Sequence, residues 1–355
     1  MWERFRACTE PGQLDLAREA AEFHTAGFAE LLCEESRNAA GDSAARALHL
    51  ARCADVVADA VPGSEGSRFR LQGLARAHLA NALRVGGDLK QSDRDFERAG
   101  ELWRAGADGD PGLLNAARVL HLEASLRREQ RRVREALSLL DQALVVDRWG
   151  ETPTLLMGKA RALEELGQHE AAIALLLRLD FQLDAESEPR SRFVVRGQLV
   201  SNLCHLGRNA EAAAALAELW LLARKLGNQL DLLRVDWLEG RVAAGLGRSE
   251  EAIAALGRVR AAFMAQDNAY DAALATLELA EVHAALGRTA EVKALARDSA
   301  PIFHDQGVHR EAQRALELFC RAAEKESVSG RLVRSVATYL YRSRNDARVR
   351  YRRPG

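Results

Sequence analysis

Aromatic residues make up only 5% of this 355-residue chain, and proline occurs seven times. So few aromatics are unusual for a compact α/β enzyme, and so few prolines leave long stretches free to form uninterrupted helix. The five cysteines, Cys8, Cys33, Cys53, Cys204 and Cys320, are odd in number and scattered through helical patterns. They read as reduced thiols rather than a disulfide framework. No run of about 18 apolar residues is present, so no membrane span is expected. Nor does a basic segment followed by an apolar stretch open the chain, so no signal peptide is expected and the location is read as cytoplasmic. The formal net charge is −1, too little to set up a field that would favour nucleic acid or a membrane surface. Catalytic signatures are missing too. The sequence holds no glycine-rich phosphate loop after a strand, no His-Glu-x-x-His, no Cys-x-x-Cys and no nucleophile elbow. Neither catalytic residues nor a metal or cofactor are therefore expected.

What the chain has in quantity is alanine, leucine, arginine and glutamate, all good helix formers. It also repeats itself. Leu166-Gly167, Leu206-Gly207, Leu246-Gly247 and Leu286-Gly287 recur every 40 residues, with weaker copies at Gly87 and at Arg131, where the glycine is missing. The six positions are separated by 44, 36, 40, 40 and 40 residues. Seven residues before each stand Ala80, Ala124, Ala160, Val200, Gly240 and Ala280. Five residues after stand Ser92, Ala136, Ala172, Ala212, Ala252 and Val292. Two small columns flanking a turn let two helices cross closely. A third column, Phe96, Leu140, Leu176, Leu216, Leu256 and Ala296, is apolar and suited to filling the space between hairpins. The glycine itself suits a left-handed helix terminus. Glu170, Glu211, Glu251 and Glu291 fall where the next helix begins and its dipole favours negative charge.

The pattern of a small residue, then Leu-Gly-x-x-x-Glu-Ala, then an apolar position resembles the tetratricopeptide repeat family. The resemblance implies an all-α fold, a right-handed α-solenoid of helical hairpins. The usual unit is about 34 residues; the longer unit here implies helices about one turn longer, near 17 residues. Long units of this kind resemble the repeat arms of bacterial helix-turn-helix regulators. No DNA-binding head is expected here, because repeat-like helices begin within the first two dozen residues. The expected organisation is residues 1–65 as N-terminal helices capping the stack, 66–328 as the repeats, and 329–355 as a closing amphipathic helix with a basic tail. Asp42-Ser43 is expected to cap a helix through Cys53 and Val57. Breaks are expected at 61–64, 106–112, 150–153 and 187–189.

One more column is polar in every copy. Six residues before the turn stand Asn81, Ser125, Arg161, Ser201, Arg241 and Glu281. In the arrangement the resemblance implies, this position faces the concave groove, where such side chains could hydrogen-bond a peptide backbone or clamp a carboxylate. Trp237, His205 and His121 fall beside it in the same register. The competing reading is a row of ordinary solvated positions. Cys204-His205 is a poor joint metal pair, because neighbours on a helix point about 100° apart. His304 and His309 are read as chance neighbours across Gly307. Trp103, Trp149 and Trp220 are read as packing at hairpin edges.

The C-terminal stretch 331–355 carries eight arginines against one aspartate, among them Arg342, Arg344, Arg348, Arg350, Arg352 and Arg353. It reads either as a solvated terminus or as a contact for an acidic partner or phosphate backbone. The function these readings imply is a non-catalytic protein- or peptide-binding scaffold or sensor in a bacterial regulatory or defence complex. The alternatives are a nucleic-acid-associated transcriptional regulator acting through the tail, and an allosteric accessory subunit of a separately encoded enzyme. The oligomeric state is left open by the sequence.

Overall fold

Each turn glycine sits where the chain must reverse between two helices, and the backbone shows why glycine is there. In the computed structural model, which describes residues 1–108, 112–184, 186, 188–266, 268–305, 316, 317, 319, 320, 323 and 330–345, the turns share one geometry. Gly87, Gly167, Gly207, Gly247 and Gly287 all have φ between 70° and 87°. At each, the next residue's amide reaches back to the carbonyl five positions earlier: Asp88 to Leu83, Gln168 to Leu163, Arg208 to Leu203, Arg248 to Ala243 and Arg288 to His283, all at 2.9 to 3.0 Å. This is the left-handed cap that satisfies the last carbonyls of a helix. Arg131 takes the same conformation, at φ 64°, and Arg132 closes the same bond to Arg127 at 2.7 Å. The turn therefore forms without glycine, at the cost of a left-handed non-glycine residue.

The described structure is all-α and divides into two compact units, Met1–Ala162 and Leu163–Gly355. In the first, α1 (Trp2–Arg6), α2 (Glu10–Glu19), α3 (Ala26–Ala39) and α4 (Ala44–Ala60) precede the hairpins α5/α6 (Glu65–Val85, Leu89–Ala105) and α7/α8 (Ala116–Glu129, Val133–Val146). The unit boundary falls inside α9 (Thr152–Glu165). The second unit continues with α10 (His169–Gln182), α11/α12 (Pro189–His205, Asn209–Leu226), α13/α14 (Gln229–Gly245, Ser249–Ala265) and α15/α16 (Ala269–Ala285, Thr289–Asp305). Its last described helix is α17 (Gly330–Asn345), packed on α15.

Polar side chains start many of these helices. Thr25, Ser43, Ser64, Asp88, Asn115, Asn228 and Asn268 each accept a bond from a first-turn amide. Such a cap satisfies a donor that the helix itself leaves orphaned. Ser43 is the cap expected from the sequence. Two expected breaks run directly into helix starts: Pro153 lies in the first turn of α9, and Pro189 is the first residue of α11. Proline fits there because no intrahelical partner awaits its missing N–H. Helix lengths also vary more than an average unit implies. Helices α7 to α10 have 14 residues each, which accounts for the 36-residue interval, and α5 has 21.

The columns read from the sequence form the interior. Every residue five after the turn is buried, and every side chain nine after it is at most 8% exposed. In α5/α6 the two small columns touch directly: Ser92 Oγ donates to Ala80 O at 2.8 Å. At Gly240 the fit is close, since a Cβ there would lie 2.9 Å from Leu256 Cγ. In the first unit Phe5, Phe23 and Phe28 are buried against one another with centroids 5.0 to 6.1 Å apart.

Candidate functional site

In the second unit the first helices of successive hairpins lie side by side, α11 next to α13 and α13 next to α15. Residues that share a register on them are therefore neighbours. Ser201 on α11 donates to Glu164 Oε1 at 3.1 Å. Arg241 on α13 reaches Ser201 Oγ with Nη1 at 3.4 Å, His205 Nε2 with Nη2 at 3.4 Å, and Glu278 Oε1 of α15 with Nε at 3.5 Å. Trp237 Nε1 donates to the other oxygen of Glu278 at 2.6 Å, and its ring meets Phe263 edge-on at 5.2 Å. Glu281 is engaged by Arg334 of α17 at 2.7 Å. Two of the polar-column residues, Ser201 and Arg241, thus join one hydrogen-bonded line with Trp237, His205, Glu164 and Glu278. Arg241 lies against a carboxylate already, so an acidic ligand would have to compete with Glu278.

His205 keeps an exposed edge and stacks on His169 of α10, with centroids 4.8 Å apart and planes 17° apart. Burial of its ring, then the Arg241 guanidinium, then His169 push its pKa down to about 3. It is neutral at physiological pH, and because a guanidinium only donates, the nitrogen facing Arg241 can only accept. His169 in turn bonds through Nδ1 to Asn202 Oδ1 at 2.8 Å, and Asn202 Nδ2 donates to Gln198 O at 2.8 Å.

In the first unit the column is engaged differently. Asn81 is 5% exposed, and its Oδ1 accepts from Arg84 Nε and Nη2 at 3.2 and 2.9 Å, while Arg84 also pairs with Glu129. Ser125 Oγ donates back to His121 O, four residues earlier on α7, at 3.2 Å. Arg161 is exposed. One charge cluster here was not read from the sequence. It centres on Arg118, which pairs with Glu34 of α3 at 2.8 Å and with Glu151. Close by, burial pushes His78 down to about 3 and His121 down to about 4, with nearby arginines adding to the shift.

Among the tail arginines, Arg342 and Arg344 belong to α17, though their side chains lie outside the description, and Arg348, Arg350, Arg352 and Arg353 lie outside the described residues. His309 does too, as does the side chain of His304. Trp103 packs under the guanidinium of Arg70, 4.5 Å from its centroid, and Trp220 under that of Arg224 at 5.6 Å, whereas Trp149 is 55% exposed. No helix of the described residues is long and apolar enough to cross a membrane.

The second unit's cluster includes four residues that the sequence reading did not place at the site. Glu164, His169, Asn202 and Glu278 all stand outside the polar column. A signal for Asn202 was present. Five residues before the turns stand Ala82, Leu126, Ala162, Asn202, Val242 and Val282, and all six are buried. One polar residue in an otherwise apolar, buried column must find partners.

Known proteins place this architecture. The tetratricopeptide repeat family profile matches residues 121–188 and 238–291. No curated protein matches the chain in sequence. Among solved structures, a Rap protein complexed with competence and sporulation factor is similar with a TM-score of 0.66 and 12% identity, over 88% of this chain and 86% of that one. Aspartyl phosphate phosphatase F from Bacillus subtilis is similar with a TM-score of 0.52 and 13% identity, over 85% of this chain and 82% of that one. Together with the turn geometry, these likenesses identify the fold as an all-α, tetratricopeptide-like solenoid of helical hairpins.

Proposed function

We propose that this chain is a non-catalytic binding scaffold or sensor that takes a peptide or a protein segment on the face formed by α11, α13 and α15. The observation that carries this reading is the line Glu164–Ser201–Arg241–Glu278–Trp237, with His205 beside Arg241. It sets donors and acceptors in fixed positions on adjacent rigid helices, and Trp237 adds an amphipathic aromatic surface. Such a surface suits a chain whose own backbone groups need partners, and preorganisation lowers the entropy lost on binding. Support also comes from the fold, which is shared with a Rap protein complexed with competence and sporulation factor. A bacterial regulatory or defence setting belongs to the same proposal.

The test uses the full chain, immobilised and exposed to a random peptide library. Recovery of a related set of peptides is expected, with recovery lost in the variants Ser201→Ala and Arg241→Ala. Either variant recovering the same peptides as the parent chain would refute the assignment of this face, and a parent chain that enriches no peptides would refute the peptide reading.

A further inference from the structure

His169 and Asn202 are each the exception in their column. The position two residues after the turn holds Leu89, Val133, His169, Asn209, Ser249 and Thr289, with an imidazole once. The position five before the turn holds one polar residue, Asn202, which is 0% exposed. The fold brings these two exceptions into a hydrogen bond with each other at 2.8 Å. Asn202 cannot be turned the other way without loss, because its Nδ2 is bound to a main-chain carbonyl, Gln198 O. A carbonyl only accepts, so the amide nitrogen must face it and Oδ1 must face the imidazole. An amide oxygen also only accepts, so the proton of His169 must sit on Nδ1, and in the neutral ring Nε2 becomes an acceptor.

We infer that Asn202 is a positioning residue that locks His169 as its Nδ1–H tautomer, and that His169 Nε2 is a contact of the binding face, accepting a hydrogen bond from an N–H of the ligand. The inference rests on the binding reading given above and adds to it the polarity of one contact. A fixed acceptor on a half-buried ring, stacked on His205 next to Arg241, selects a group that donates. A peptide N–H satisfies it; a carboxylate presented at the same place meets a lone pair. Leucine at 202, as at Leu126 in the same column, would fill the space while removing both bonds, and the ring would then be free to take either tautomer.

The experiment is long-range proton–nitrogen NMR on the full chain with 15N-labelled imidazoles, the His169 signals being assigned by their loss in His169→Gln. The expected pattern is a protonated Nδ1 and an unprotonated Nε2, shifting in Asn202→Leu towards a mixture of tautomers. A wild-type His169 protonated on Nε2 overturns the proposal whether or not any variant folds. An unchanged tautomer in a folded Asn202→Leu variant overturns it as well. In a second arm, peptides recovered from the random library by the parent chain should bind Asn202→Leu and His169→Gln about threefold to tenfold more weakly, as loss of one neutral hydrogen bond implies. Equal binding overturns the contact at Nε2. If the tautomer is as expected but no peptide is recovered at all, the failure lies with the peptide reading, and the contact falls with it while the lock stands.

Discussion

Replacing Gly247 by alanine isolates the backbone cost of a single turn. Its φ is +77°, and a Cβ built there meets nothing within 4 Å. The substitution therefore creates no clash, and its cost is the left-handed conformation alone, about 1–2 kcal/mol. Gly247→Val should cost more, because a β-branched residue fits that region worse still. The mirror experiment is already half done by the sequence: Arg131 sits in the same turn at φ 64°. Arg131→Gly should relieve the strain but give back part of the gain through the greater freedom of glycine in the unfolded chain, leaving a few tenths to about 1 kcal/mol of stabilisation. The two turns lie in different compact units, so the readout must be local. Native-state hydrogen exchange of the α13/α14 and α7/α8 segments, with urea unfolding followed by circular dichroism, separates them. Faster exchange in the first variant and slower exchange in the second are expected. If Gly247→Ala changes neither exchange nor the urea midpoint, the argument that these turns depend on a left-handed residue is wrong.

Two other glycines make a matched pair. Gly240→Ala would push a Cβ into fully buried Leu256, at 2.9 Å, and should cost about 1–3 kcal/mol as overpacking; Gly257→Ala, in α14 with nothing within 4 Å, should stabilise by up to about 1 kcal/mol through helix propensity. Thermal melts that move in the same direction for both would refute the packing assignment. Acid should weaken the first unit. His78 and His121 are held at about 3 and about 4, below their ordinary value, so the unfolded chain takes up their protons first and stability is lost as pH falls below about 6.5. Each contributes a slope of about 1.4 kcal/mol per pH unit. Asp55 acts in the opposite sense: burial raises it to about 6, so the folded state binds its proton first and gains stability as pH falls through that value. The net expectation between about pH 6 and about pH 4.5 is a loss of stability, because His49 and His205 are held down as well and these imidazoles outweigh Asp55; it is measured as the urea midpoint against pH. In His78→Phe that slope should fall by about 1.4 kcal/mol per pH unit, and an unchanged slope would mean His78 is not buried as a neutral ring.

The sequence by itself determined the hairpins. Turn spacing, the small columns on either side and the apolar column beyond are local and periodic, and each is set by the sterics of a helix crossing that repeats in every unit. Ser43 as a cap and the left-handed turns were legible for the same reason, since capping involves residues three or four apart. Even the missing glycine at 131 left the turn readable, because its flanking columns continued. What only the tertiary structure decided is which polar residues meet. Asn81 and Ser201 occupy the same register, yet one turns inward to Arg84 and the other reaches Glu164. Arg241 meets Glu278, 37 positions away, and His169 meets Asn202, 33 positions away, because neighbouring hairpins bring their helices together. Periodicity assigns a residue to a face; the partner it finds there depends on the side-chain lengths of the next repeat, which no single column records. Asn202 marks the limit between the two: its column showed that a polar group was buried, and only the fold showed that its partner was the one imidazole at the start of α10.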